Sequence, residues 1–166
     1  MTLMSNDQER ADLLESLAAQ RRFLRRTVDG LTDGQARLRP TASELCLGGI
    51  VKHVALMEAG WARFALGGAE AMQAVQVDWS SQFCMEEDET LDDFLAIWEG
   101  TAGATDELVR TLDLNKIHEL PRAPWFPPGA TRSVRRAFTH LIAEIAQHAG
   151  HADILRESID GQKTMG

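Results

Sequence analysis

The stretch Ser133-Val-Arg-Arg-Ala-Phe-Thr-His140-Leu-Ile-Ala-Glu144-Ile-Ala-Gln-His148-Ala-Gly-His151-Ala-Asp-Ile-Leu-Arg-Glu-Ser-Ile159 decides the fold. Val134, Phe138, Leu141, Ile145, Ala152 and Leu155 recur at helical spacing, no proline interrupts them, and Gly161 follows. The pattern predicts a long amphipathic helix over about 133–159. Three other segments read the same way. The first covers about 7–28, with Asn6 as cap, Glu9 as its capping-box partner, and Leu13, Leu14, Leu17, Leu24 and Val28 as its stripe. The second covers about 47–66, carries Leu47, Ile50, Val54, Met57, Trp61 and Phe64, and is stopped by Gly67-Gly68. The third covers about 91–112, opened by a Thr90/Asp93 capping box. Strand signals are weak: there is no tyrosine and no sustained β-branched alternation. The expectation is an all-α chain, one domain over residues 1–166, built as a four-helix bundle.

The connections at about 30–46, 67–89 and 113–132 exceed the usual helix–helix loop of about 2–8 residues. They permit crossovers, so the bundle need not alternate up and down. In the last of them, Pro121-Arg-Ala-Pro-Trp-Phe-Pro-Pro128 is stiff and aromatic. It is expected either to line a pocket or to pack Trp125 and Phe126 against the core rim.

Composition narrows the function. A net charge of −8 would repel a phosphate backbone, which argues against nucleic acid as the main partner. No apolar run is long enough to cross a membrane, and the polar start MTLMSNDQER predicts no signal peptide. Cys46 and Cys84 lack metal-knuckle spacing and read as reduced thiols, which predicts a cytoplasmic protein.

On the decisive helix, His140, Glu144, His148 and His151 fall at roughly 0°, 40°, 80° and 20° around the axis, a single stripe. Glu144 and His148, one turn apart and nearer the apolar face, offer a carboxylate oxygen and an imidazole nitrogen to a divalent ion. A third ligand must come from elsewhere, and His53 in Gly48-Gly-Ile-Val-Lys-His53 lies at the edge of the second helix's apolar face. A half-buried, hydrogen-bonded histidine is the common alternative reading of such a position. His118 sits in a polar loop and receives no role. Arg21 falls on the first helix's apolar stripe; a snorkelling side chain is the favoured reading, and a buried anionic partner the alternative. Arg132, Arg135 and Arg136 precede the metal stripe and read as a solvated basic face, or else as an attractor for an anionic thiol.

Taken together, Gly30-Leu-Thr-Asp-Gly-Gln-Ala-Arg37, Arg39-Pro40, Leu47-Gly-Gly-Ile-Val-Lys-His53 and His140-x-x-x-Glu144-x-x-x-His148-Ala-Gly-His151-Ala-Asp-Ile-Leu-Arg-Glu157 resemble the DinB-like superfamily of metalloenzymes. The resemblance covers nearly the whole chain. It implies a four-helix bundle with up-down-down-up connectivity and a divalent metal, zinc or nickel, on His53, Glu144 and His148. That His/Glu/His set is similar to the mycothiol-dependent maleylpyruvate isomerases, whose additional C-terminal domain has no counterpart in these residues. Related members are thiol S-transferases using mycothiol or bacillithiol, and are commonly homodimers.

The implied partners are therefore a small-molecule thiol and an electrophile. The thiol must come from outside, since neither cysteine lies near the helix-four motif. His151, further along the stripe, is the candidate catalytic group, as a proton carrier or a fourth donor. Metal-dependent hydrolysis, with the same ligands activating water, is a competing expectation. A non-catalytic metal-binding stress-response protein is another.

Overall fold

The structure, a computed structural model, describes residues 2–164, and side chains from residue 7 onward. It is mostly helical. The order is α1 (Thr2–Val28), α2 (Asp33–Ala36), α3 (Leu47–Gln73), α4 (Leu91–Thr111), β1 (Ile117–Glu119), β2 (Thr131–Ser133) and α5 (Val134–Asp160). The all-α class stands, and the four long helices are those the hydrophobic spacing predicts. Fully buried Leu17, Leu24, Ile50, Phe64, Trp98, Phe138, Leu141 and Ile145 form the core between them.

The boundaries differ in informative ways. α1 is already helical at residue 6, so the expected cap at Asn6 lies inside the helix. Residues 2–6 contain neither glycine nor proline to stop it there. Gly68 does break α3, with φ 74° and ψ −158°, but the helix resumes and runs on to Gln73. The residues after the break, Ala69-Glu-Ala-Met-Gln73, are strong helix formers. Thr90 caps α4 as expected, its hydroxyl accepting from the Asp93 N–H, and Ser133 caps α5 in the same manner.

Two elements escape the sequence reading. α2 is a single turn closed by a full capping box between Thr32 and Gln35. Its Asp33 carboxylate accepts the Leu91 N–H at 2.9 Å, which ties the start of α4 to this turn. The strands pair antiparallel, with His118 opposite Arg132. Each is three residues long, too short to show alternation. His118 is thus not a free loop residue. It meets Phe64 edge-on at 5.5 Å, and its Nε2 lies 3.3 Å from the Ala65 carbonyl, just before the break at Gly68. A Cβ on Gly68 would come within 2.9 Å of His118 Nδ1, so the glycine also makes room for the ring.

Side-chain contacts give the helix directions. Glu9 binds Arg135, and Arg156 donates to the Thr27 carbonyl, so α1 and α5 advance together. Lys52 lies over the Phe94 ring and Glu58 accepts from Trp98, so α3 and α4 advance together. Arg10 donates to the Val109 and Leu112 carbonyls while Arg25 donates to that of Leu95, which sets α1 against α4. His53 meets His148, and Trp61 meets His140, which sets α3 against α5.

Arg21 does not snorkel. It is buried, with Nη2 donating to Glu58 Oε1 at 2.5 Å and Nη1 to Asp106 Oδ1 at 2.8 Å. Glu58 is fully buried, and its Oε2 accepts from Trp98 Nε1 at 2.8 Å. One carboxylate thus joins α1, α3 and α4. Glu58→Ala should cost about 3–5 kcal/mol in urea unfolding at neutral pH, because it takes from a buried guanidinium its one fully buried carboxylate and leaves it Asp106 alone. Arg21→Met combined with Glu58→Leu should cost less than Glu58→Ala alone, since the buried guanidinium goes with its carboxylate and only the part-exposed Asp106 loses its partner. A loss below about 1 kcal/mol for Glu58→Ala, the range of an exposed pair, would contradict this reading.

Candidate metal centre

α3 and α5 cross so that His53 faces the stripe predicted on α5. One ligand atom from each of His53, Glu144 and His148 lies within 4.8 Å of the others. Two imidazoles and a carboxylate suit a divalent ion of the zinc class, and three protein ligands leave a position open. Glu144 Oε2 lies 3.8 Å from His148 Nε2, and Oε1 lies 3.8 Å from His140 Nε2, too far for hydrogen bonds. His148 Nδ1 is sealed from solvent with no partner. Donor atoms that converge without satisfying one another fit a site for a cation.

The loop before α4 completes the surroundings. Gln82 Oε1 lies 2.7 Å from His53 Nδ1, while Gln82 Nε2 donates to the Trp79 carbonyl at 2.9 Å. The carbonyl can only accept, so the amide orientation is fixed and His53 Nδ1 must be the protonated nitrogen. Its Nε2 is then left with the free lone pair that a metal ligand needs. Phe83 stacks on the His53 ring at 4.1 Å and lies 5.7 Å from that of His148. This approach depends on Gly48 and Gly49. A Cβ on Gly49 would sit 1.9 Å from the Phe83 carbonyl oxygen, and one on Gly48 2.2 Å from Met85 Sδ. Neither Gln82 nor Phe83 was singled out by sequence; the glycine pair opening α3 was the available signal. Cys46 is the N-cap of α3, its Sγ accepting from the Gly49 N–H.

Burial keeps these imidazoles neutral. His148 falls from 6.5 to about 4, through burial first and then through His53 and His151. His140 falls likewise to about 4, through burial and the nearby Arg132 and Arg136. His53 is lowered by burial, against the opposing hydrogen bond it donates to Gln82. A neutral imidazole is the form that binds a metal.

The remaining stripe residues stand beside the triad. His151 is half-buried, with its ring 5.5 Å from that of His148 and its Nδ1 sealed without a partner. His140 packs edge-on against Trp61 at 4.7 Å. Of the three arginines read as a basic face, Arg135 pairs with Glu9 and donates to Asn115, whereas Arg132 lies over the Trp61 ring. In the proline-rich loop Trp125 is 75% exposed, while Phe126 packs against the core; the loop lines a cavity of about 560 Å³.

Residues 12–161 match the family described as MST, mycothiol-S-transferase. No curated protein matches the chain.

Removing the Gln82 hydrogen bond should loosen the His53 tautomer. Gln82→Ala is expected to weaken divalent-metal binding by about 10–100-fold in competition titration, the usual effect of losing such a partner. An unchanged affinity would show that the bond does not orient the ring. The pH dependence follows from His140 and His148. Between about 6.5 and about 4 the unfolded chain binds protons that the folded chain does not. The contribution of these two groups to the stability of the metal-free protein should therefore fall as pH drops through that window and level off below it. Urea midpoints at pH 7 and pH 5 check the sign, and equal midpoints would contradict it.

Proposed function

Because the chain belongs to the mycothiol-S-transferase family, we propose that it is a metal-dependent S-transferase whose divalent ion is held by His53, Glu144 and His148. The observation that carries this reading is the convergence of one ligand atom from each of those residues within 4.8 Å. The ion is zinc or nickel, the cosubstrate a low-molecular-weight thiol of the mycothiol or bacillithiol type, and the second substrate an electrophile. The frame is a single-domain four-helix bundle with up-down-down-up connectivity. Its support is that α1 and α5 run one way while α3 and α4 run the other. A cytoplasmic homodimer completes the proposal.

In such a site a divalent ion supplies Lewis-acid lowering of a thiol's pKa. The protein's part is orientation, exclusion of water and proton handling. Gln82 holds the His53 tautomer, and Phe83 covers the His53 ring. His151 takes the thiol proton at Nε2, since its Nδ1 is sealed. The sulfur then forms a bond to the electrophilic carbon. In a displacement the leaving group departs with the electron pair of the broken bond. In a conjugate addition the proton ends on the carbon next to the activating group.

Purified protein should carry close to one divalent ion per chain, and His53→Ala, Glu144→Ala and His148→Ala should each lose it, with His118→Ala as the unaffected control. Metal-loaded protein should conjugate mycothiol or bacillithiol to monochlorobimane faster than the uncatalysed rate, and chelation or His148→Ala should abolish the excess. Conjugation that survives chelation would overturn the mechanism. Failure with both thiols across several electrophiles would favour hydrolysis or metal binding without turnover.

A further inference from the structure

Arg132 is a cation that the fold does not answer. It lies in β2, half-buried, with its guanidinium carbon 4.6 Å from the centre of the Trp61 ring and 5.8 Å from that of Phe126. Its Nη1 is sealed from solvent without an acceptor, and its side chain makes no hydrogen bond or ion pair among the described residues. Its charged neighbour is Arg136, and burial and that neighbour both disfavour its charge. Arg63 Nε is sealed and unpartnered as well, but Arg132 alone of the two lies on aromatic rings beside the metal stripe, and three other buried or paired arginines show the contrast. Arg21 has Glu58 and Asp106, Arg135 has Glu9, and Arg156 has Asp160 and two backbone carbonyls. Holding an unpaired guanidinium beside a like charge is unfavourable, and an arriving anion removes that cost.

The position ties this cation to the metal centre. Trp61, which carries Arg132 on its face, meets His140 edge-on at 4.7 Å, and His140 Nε2 lies 3.8 Å from Glu144 Oε1. On the other side, Phe126 also walls the cavity of about 560 Å³ under the proline-rich loop, together with Leu120, Arg122 and Pro127. A guanidinium lying against two aromatic rings presents a planar edge of N–H donors. That edge can donate two parallel hydrogen bonds to the two oxygens of a carboxylate.

We propose that Arg132 is the carboxylate-binding residue of the substrate site, seating a carboxylate of one of the two reactants between Trp61 and the proline-rich loop. The assignment of that carboxylate to a reactant rests on the S-transferase reading; the binding of a carboxylate does not. It gives the site a preference for acidic substrates that an overall charge of −8 would not suggest.

The binding test uses chelated, metal-free protein, so that no ion can hold the carboxylate. Propionate should change the tryptophan fluorescence saturably, and propionamide, of nearly the same shape, should not. Arg132→Gln should raise the propionate dissociation constant at least about tenfold, the loss expected for hydrogen bonds to a charged group. Arg132→Lys, which keeps the charge without the fork, should fall between. Matching far-ultraviolet circular dichroism for the variants separates this loss from misfolding. Equal propionate binding by wild type and Arg132→Gln, or equal binding of propionate and propionamide, would overturn the proposal.

The kinetic test uses metal-loaded protein and thioether formation, in which sulfur bonds to carbon, iodide leaves with the C–I electron pair and the thiol proton passes through His151 to solvent. Iodoacetate against iodoacetamide, both with N-acetylcysteamine, reads a carboxylate on the electrophile. N-acetylcysteine against N-acetylcysteamine, both with iodoacetamide, reads one on the thiol. Arg132→Gln should lower kcat/KM about tenfold or more for the acidic member of one pair only. Arg132-dependent propionate binding without turnover of any pair would sink the S-transferase reading and leave the anion site standing. Turnover with every pair insensitive to Arg132→Gln, together with unchanged propionate binding, would sink the anion site alone.

Discussion

The register between α3 and α5 is the constraint on which the rest depends. His53 and Trp61 are eight residues apart on α3, and His148 and His140 are eight apart on α5; they meet as antiparallel pairs, His53 with His148 and Trp61 with His140. Eight residues span about 12 Å of helix. Within that span the two helices place the proposed metal ligands at one end and the Trp61 ring, with Arg132 over it, at the other. A slip of one turn would part His53 from Glu144 and His148. It would also move Trp61 from beneath Arg132.

α3 itself is held from both sides. On one side the Glu58 carboxylate, within α3 and fully buried, is bound by Arg21 of α1 and Trp98 of α4. Such a group contributes little net stability against an apolar replacement, but it tolerates few alternative packings of the three helices. On the other side Gly48 and Gly49 admit the backbone at Phe83 and the side chain of Met85 against the first turn of α3, which brings Gln82 and Phe83 to His53. Lys52 fastens the same loop, donating to the Cys84 carbonyl and to Glu89. The scaffold thus answers its polar groups around the centre, and the exceptions are instructive. Among the described residues four side-chain atoms are sealed and unpartnered, Arg63 Nε, His148 Nδ1, His151 Nδ1 and Arg132 Nη1, and the last three lie along the face where substrate and metal are proposed to bind.

Much of this was legible in the sequence because periodicity is a strong signal over long helices. The stripe on α5 and the single histidine on α3 placed His53, Glu144 and His148 on facing elements before any coordinates. What was not legible lay in short or aperiodic segments. α2 is one turn, β1 and β2 are three residues each, and Gln82 and Phe83 belong to a loop without a repeat. Their places are set by tertiary contacts, which a one-dimensional pattern does not carry. Arg21 departs from the snorkelling expectation for a related reason. Its position on the apolar stripe was plain, but its partners Glu58 and Asp106 stand 37 and 85 residues away. Arg132 was grouped with its basic neighbours, and only its stacking on Trp61, far off in sequence, sets it apart.

The central claim is that one divalent ion sits among His53, Glu144 and His148. Anomalous diffraction from crystals of the metal-loaded protein, recorded at the absorption edge of zinc or nickel, tests it most directly. The account predicts one strong peak per chain, enclosed by those three side chains, with His151 and Phe83 beside it. A fully loaded protein whose peak lies elsewhere, or whose peak is not contacted by Glu144, would contradict it.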